Sequence, residues 1–144
     1  MKFLHLAFWF YSVAIVMMPA SARADIAVIV NTANPVSQMN QQQIADLYLG
    51  RTRNFPNGEF ALVFDHFRDS PLRARFFQTL SAMSQQQINA YWSRMMFSGQ
   101  VIPPQQLPDD RTVLEIVRRN SGAIGYVSAQ IADTTVRTLL LLKE

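Results

Sequence analysis

The sequence has 144 residues, with 13 basic side chains, 10 acidic side chains and no cysteine. This length fits a single domain with one hydrophobic core. The lack of cysteine excludes disulfides, cysteine metal sites and thiol catalysis, so the core must be stable through packing alone.

The first 24 residues have the order of a secretory signal peptide. Lys2 precedes an apolar run over residues 3–18, and the small residues that follow end in Ala22-Arg23-Ala24. A positive start, an apolar stretch and an A-x-A site predict cleavage after Ala24. An uncleaved membrane anchor is the alternative, but the run of about 16 residues is shorter than the ~20 that span a bilayer. We therefore expect residues 25–144 to form a periplasmic domain.

Processing of the signal peptide lowers the net charge. Without Lys2 and Arg23, 11 of the 13 basic residues remain against 10 acidic residues, which gives a net charge of about +1. Such a balance leaves no strong field for nucleic acid or for a membrane surface. We therefore expect no nucleic-acid partner.

The mature chain begins with the pattern of a strand and a helix. Residues 25–31 read DIAVIVN, a β-branched run typical of a strand buried on both faces. Asn34-Pro35 then predicts a turn. Asn40 and Gln43 form a capping-box pattern at a helix start, and Gly50 predicts its end.

The middle of the chain carries a second strand and two helices. Residues 60–64 read FALVF and predict a buried strand, which residues 65–69 connect to the next element. Ser70-Pro71 predicts a helix start, with the serine as N-cap and the proline at the first helical position. Ser84 begins a third helix that Gly99 ends.

The last third predicts one more helix and two strands. Residues 101–108 are extended and rich in proline, and Asp109-Asp110 begins a helix whose dipole favours negative charge there. Residues 122–127 and 136–142 read as strands, the first with glycines that allow close backbone approach. This order predicts an α/β fold, a three-layer mixed sheet with helices on both faces.

Three segments, taken together, resemble the phosphate-binding proteins of ABC transporters. They are the helix end IADLYLGR at residues 44–51, the connection and helix start at residues 65–77, and the strand SGAIGYV at residues 121–127. Their order and approximate spacing are similar to those of a group of short exported members of that family. The resemblance implies one lobe of the type II periplasmic binding fold.

The same resemblance implies a function and partners. It implies a non-enzymatic binding protein without a cofactor, whose ligand is phosphate or another small oxyanion. Its protein partner would be an inner-membrane ABC permease or another envelope protein, in uptake or in sensing. The alternative is a periplasmic protein-interaction module whose ligand site is degenerate.

The best candidate for the ligand site is the helix start at Ser70. Helix N-termini present free N–H groups and bind anions, and the matching serine contacts the anion in the family. Arg68 and Arg73 are close enough in sequence to add positive charge. The simpler interpretation is that Ser70 only caps its helix and that the arginines are solvated.

This segment also departs from the family pattern. Pro71 has no N–H, Leu72 has no hydroxyl, and Asp65 or His66 stands near the position of the family's phosphate-holding arginine. A carboxylate at Asp65 would repel an anion. These departures weaken the expectation of phosphate binding more than that of the fold, and they are consistent with the interaction module.

The loop after the first strand is a second candidate. Asn31 and Thr32 lie at a predicted strand C-terminus, where ligands bind in α/β folds. A plain polar turn explains them equally simply.

No residue pattern indicates catalysis or a metal. His66 is the one histidine of residues 25–144 and has no acidic cluster near it in sequence, so we expect no metal site. No nucleophile elbow or glycine-rich phosphate loop is present. The apolar residues at 91–97 predict either core packing or an exposed patch for a partner.

Overall fold

The computed structural model describes residues 25–144, and the predicted signal peptide lies outside this part of the chain. Within it are five strands and four helices. In chain order they are β1 (Ile26–Asn31), α1 (Gln41–Tyr48), β2 (Leu62–His66), α2 (Pro71–Ser81), α3 (Gln85–Phe97), β3 (Gln105–Leu107), α4 (Asp110–Arg119), β4 (Ala123–Ser128) and β5 (Val136–Leu142). None of these helices is long and apolar enough to cross a bilayer.

The strands form one mixed sheet in the order β3-β2-β4-β1-β5. Strand β2 is parallel to β3 and to β4, whereas β1 is antiparallel to β4 and to β5. The carboxyl ends of β2, β3, β4 and β5 therefore lie at one edge of the sheet. The carboxyl end of β1 lies at the opposite edge.

The helices cover both faces of the sheet, as predicted. Alternate residues of β1 face opposite sides, so Val28 belongs to one buried cluster and Ile29 to the other. The cluster with Val28 contains the buried sides of α1, α2 and α3, and the cluster with Ile29 contains that of α4. The three-layer architecture is confirmed.

The predicted helix starts are also confirmed. Asn40 and Ser84 each form a capping box with the glutamine three residues on. Ser70 Oγ accepts a hydrogen bond from Arg73 N at 3.3 Å, with Pro71 at the first helical position. Asp109 caps α4 in the same way.

Close packing explains a glycine in β4. A Cβ on Gly125 would lie 2.5 Å from Val113 Cγ1, which belongs to α4. The absence of a side chain lets this helix approach the sheet, as the sequence pattern predicted.

The second strand lies two residues later than predicted. It begins at Leu62, while Phe60 is exposed and forms an isolated bridge with Asn54. Strand β3, which the sequence predicted only as an extended segment, pairs with β2 from Phe64 to His66. Because of this pairing, Asp65 and His66 are buried strand residues and not part of a connection.

Candidate functional site

A buried ion pair lies where β2 meets α2. Asp65 stands near the carboxyl end of β2, and Arg73 lies in the first turn of α2. Arg73 Nε donates to Asp65 Oδ2 at 2.9 Å, and each side chain is only 2% exposed. Two charges removed from water in this way are stable only if both are well paired and hydrogen-bonded.

The remaining hydrogen bonds of this pair come from the backbone of β2 and from two further elements, β4 and α3. Asp65 Oδ1 accepts from its neighbour's backbone, His66 N, at 2.8 Å and from the hydroxyl of Tyr126 on β4. Arg73 Nη1 donates to Asn89 Oδ1 on α3 at 2.8 Å. The guanidinium carbon also lies 5.2 Å from the ring centroid of Phe77. The pair therefore joins β2, β4, α2 and α3.

Two buried tyrosines complete this polar network. The Tyr126 ring stacks on Phe76 with centroids 3.7 Å apart, and Tyr48 donates its hydroxyl to Phe64 O at 2.9 Å. Burial raises the pKa of Tyr126 well above its usual value, and the charge on Asp65 raises it further. Burial likewise raises the pKa of Tyr48. Both side chains therefore remain neutral hydrogen-bond donors.

His66, the residue that follows Asp65 on β2, is also buried. Its Nε2 lies 2.9 Å from Tyr126 O and 3.4 Å from Asp110 Oδ1. Because a carbonyl only accepts, Nε2 must carry the proton. Within residues 25–144, no group of three or more histidine, cysteine or acidic side chains is placed to hold a metal ion.

A cleft of about 420 Å³ is lined by α3, the carboxyl end of β2, the start of α2 and the segment that leads into β3. We call it the arginine cleft, and it is lined by Asp65, Arg68, Arg73, Asn89, Trp92, Ser93, Met96, Pro103, Pro104 and Gln106. Asp65 balances the charge of Arg73, so Arg68 supplies the excess positive charge. Since the Asn89 oxygen accepts from Arg73, the amide NH₂ of Asn89 is left to donate elsewhere.

An apolar groove of about 240 Å³ adjoins this cleft and shares Trp92, Pro103 and Pro104 with it. The apolar residues at 91–97, for which the sequence predicts either core packing or an exposed patch, are partly buried and partly exposed. Trp92 is buried, whereas Met96 and Phe97 are 58% and 96% exposed. Trp92 Nε1 is buried without a hydrogen-bond partner among the described residues, which costs about 1–3 kcal/mol.

The structure brings two of the predicted site residues together. Arg68 and Arg73 both line the arginine cleft. Ser70 lies outside this lining and caps α2. The first turn of α2 has few free amides, because Pro71 has no N–H and Arg73 N is bonded to Ser70.

Asn31 and Thr32 are not brought to the same place. Since β1 is antiparallel to its neighbours, its carboxyl end lies at the edge of the sheet opposite to that of β2. Asn31 Nδ2 donates to the carbonyls of Val117 and Arg118 at the end of α4, at 2.9 Å each. Thr32 is exposed.

Sequence reasoning missed three contributors to the cleft. Asn89 and Trp92 lie on α3, and Gln106 lies on β3, far from Arg68 along the chain. No local pattern marks them. One signal was available at Asp65, since a carboxylate next to a buried strand needs a cation and Arg73 follows eight residues later.

Comparisons with known proteins give a match in fold alone. No protein-family model and no curated protein matches the sequence. Among solved structures, a candidate phosphate ABC transporter substrate-binding protein from Clostridium perfringens, with bound phosphate, matches 82% of this chain and 45% of its own. The TM-score is 0.66 and the sequence identity is 22%.

Two further solved structures agree with it. An ABC-type phosphate transport receptor from Vibrio cholerae matches with a TM-score of 0.64 at 21% identity, over 82% of this chain and 47% of its own. A candidate phosphate-binding protein from Planctomyces limnophilus matches with a TM-score of 0.57 at 14% identity, over 82% and 42%. The chain has the fold of one phosphate-binding-protein lobe. It spans less than half the length of these matches, and the expected likeness in fold is confirmed.

The ion pair makes a prediction for stability. Arg73→Met leaves the Asp65 carboxylate buried without its cation, so we expect the free energy of unfolding to fall by about 3–5 kcal/mol. Arg68→Met removes an exposed guanidinium and should change it by less than about 0.5 kcal/mol. Urea unfolding of both variants measures the difference. The double variant Asp65→Asn/Arg73→Met should recover part of the loss, and the absence of any recovery would contradict the buried pair.

The raised pKa values of Tyr48 and Tyr126 make a prediction for alkaline pH. In the unfolded chain both hydroxyls ionise near their ordinary pKa of 10.0, while the folded chain keeps them protonated. Stability is therefore complete below about pH 10 and falls above it, by up to about 1.4 kcal/mol per pH unit for each tyrosine. Urea unfolding over this range should show a shallower fall in Tyr126→Phe. If the free energy of unfolding falls as steeply with pH in that variant, the result would contradict the raised pKa of Tyr126.

Proposed function

We propose that the protein is an exported, non-enzymatic binding protein that captures phosphate or another small oxyanion in the arginine cleft. The observation that carries this proposal is the presence of Arg68 and Arg73 in one cleft beside the carboxyl end of β2. Ligands bind beside the carboxyl ends of strands in α/β folds. A solved structure of the same fold contains phosphate, which supports the choice of anion.

The ion pair prepares this cleft for an anion. Asp65 and Asn89 hold the Arg73 guanidinium through two of its nitrogens, so little side-chain entropy is lost when a ligand arrives. The carboxylate expected to repel an anion is neutralised by Arg73 and hydrogen-bonded by Tyr126. Arg68 then supplies one uncompensated charge at the exposed side.

The affinity should be modest. The cleft is open to water, where each exposed charge contact contributes only about 0.2–1 kcal/mol. A few such contacts contribute at most about 3–4 kcal/mol, which corresponds to a dissociation constant of about 1 mM or weaker, and added salt weakens binding further. A second subunit that covers the cleft would exclude water and strengthen binding.

The lining of the cleft supports binding over catalysis. Its one carboxylate, Asp65, is already engaged by Arg73 and Tyr126, and no histidine is among the described lining residues. No group there can serve as a general base. The proposal therefore assigns no catalytic residue and no cofactor.

The proposed setting is the periplasm. The signal-peptide pattern of residues 1–24 supports export. An inner-membrane ABC permease, or another envelope protein that senses the anion, is the proposed partner. Ser70 enters the proposal as the cap that fixes the first turn of α2, and direct ligand contacts from Ser70, Asn31 and Thr32 stay predictions.

A protein-interaction module is the second candidate function. It is favoured by large apolar side chains on the surface beside the cleft, with Phe97 96% and Ile102 82% exposed. Such a patch is typical of a protein contact. Under this alternative, phosphate produces no heat of binding and an envelope protein co-purifies with the chain.

Phosphate titration by calorimetry tests the proposal. We expect saturable binding by the purified chain, weakened up to about fivefold in Arg68→Ala because one exposed charge contact of at most about 1 kcal/mol is lost. Arg119→Ala is the matched control, since it removes an exposed positive charge at the end of α4 that pairs with nearby Glu115. Equal weakening in both variants would show a general charge effect, and no saturable heat in the unsubstituted chain would refute the proposal.

A further inference from the structure

The arginine cleft is larger than a bare oxyanion requires. Its volume is about 420 Å³. A water molecule occupies about 30 Å³ of liquid, and an inorganic oxyanion displaces only a few waters. Clefts of roughly 300–1,000 Å³ are typical of sites for organic ligands. Most of this cleft would stay filled with water if it held phosphate alone.

The lining of the cleft combines two kinds of chemistry. The guanidinium groups of Arg68 and Arg73, from α2 and the segment before it, and the amide of Asn89 on α3 form its polar part. Trp92 and Met96, also on α3, and the Pro103-Pro104 pair form its apolar part. An anion gains little from the apolar part, whereas an apolar or aromatic group does.

The apolar part of the cleft is also suited to binding a ligand with little loss of entropy. The two prolines have fixed φ angles, so this segment loses little backbone entropy on binding. Met96 is 58% exposed and adapts its shape to a ligand through its unbranched side chain. Trp92 lines the cleft with a largely buried ring, and its buried N–H has no partner among the described residues.

We propose that the arginine cleft binds an oxyanion that carries an organic substituent, such as a phosphate monoester. The anionic group lies against Arg68 and Arg73, and the substituent lies against Trp92, Met96 and Pro103. This inference rests on the proposed function, which itself requires only the anionic half of the cleft.

A series of three anions tests the inference. Inorganic phosphate, methyl phosphate and phenyl phosphate are titrated into the purified chain at one ionic strength and at one alkaline pH where all three are dianions. We expect affinity to rise along the series, with phenyl phosphate about tenfold or more tighter than phosphate, because the ring buries apolar surface. Equal affinities would overturn the inference.

Two surface variants test which residues produce the gain in affinity for phenyl phosphate. Met96→Ser should lower the phenyl phosphate affinity several-fold more than the phosphate affinity, and it should fold because Met96 is exposed. Leu141→Ser is the matched control, since Leu141 is an exposed apolar residue on β5, the strand at the far edge of the sheet. Equal losses for all three anions in Met96→Ser would overturn the inference.

Arg68→Ala separates this inference from the proposed function. Phosphate binding that depends on Arg68 with no gain for phenyl phosphate leaves the proposed function standing and refutes the inference. Phenyl phosphate binding that Arg68→Ala does not weaken at all reflects apolar contact alone and also refutes it. If none of the anions binds, the proposed function fails as well.

Discussion

The ion pair between Asp65 and Arg73 is the interaction on which the rest of the structure depends. It sits at the junction of β2 and α2, and the hydroxyl of Tyr126 and the amide of Asn89 extend it to β4 and α3. A buried pair is tolerated only when its other donors and acceptors are satisfied. The network therefore fixes how four elements meet, and it places a guanidinium in the wall of a cleft.

This arrangement explains how a chain with the fold of a phosphate-binding-protein lobe can have an acidic residue near the expected anion position. A carboxylate near the expected anion position argues against binding when it is considered alone. In the folded chain that charge is cancelled, and Arg68 and the neutral donors set the local potential. As a result, the cleft is only weakly positive and open to water. The proposed affinity for an anion therefore depends on contacts other than charge, or on a second protein that covers the cleft.

The sequence predicts the elements of the fold better than the location of the site. Helix caps such as Ser70 and the β-branched first strand are local signals, and they predicted the three-layer arrangement correctly. Strand direction is a long-range property, so nothing in residues 25–31 shows that β1 is antiparallel and carries Asn31 away from Arg68. The pairing of β2 with β3, which buries Asp65, has the same long-range origin.

Nuclear magnetic resonance of the isotopically labelled chain during phosphate addition tests the central claim most directly. Phosphate in the arginine cleft should produce saturable shifts in the Nε–H signal of Arg73, the side-chain amide of Asn89 and the indole N–H of Trp92. The side-chain amide of Asn31, at the opposite edge of the sheet, should not move. Shifts confined to Asn31 and Thr32, or none at Arg73 at saturating phosphate, would contradict the account.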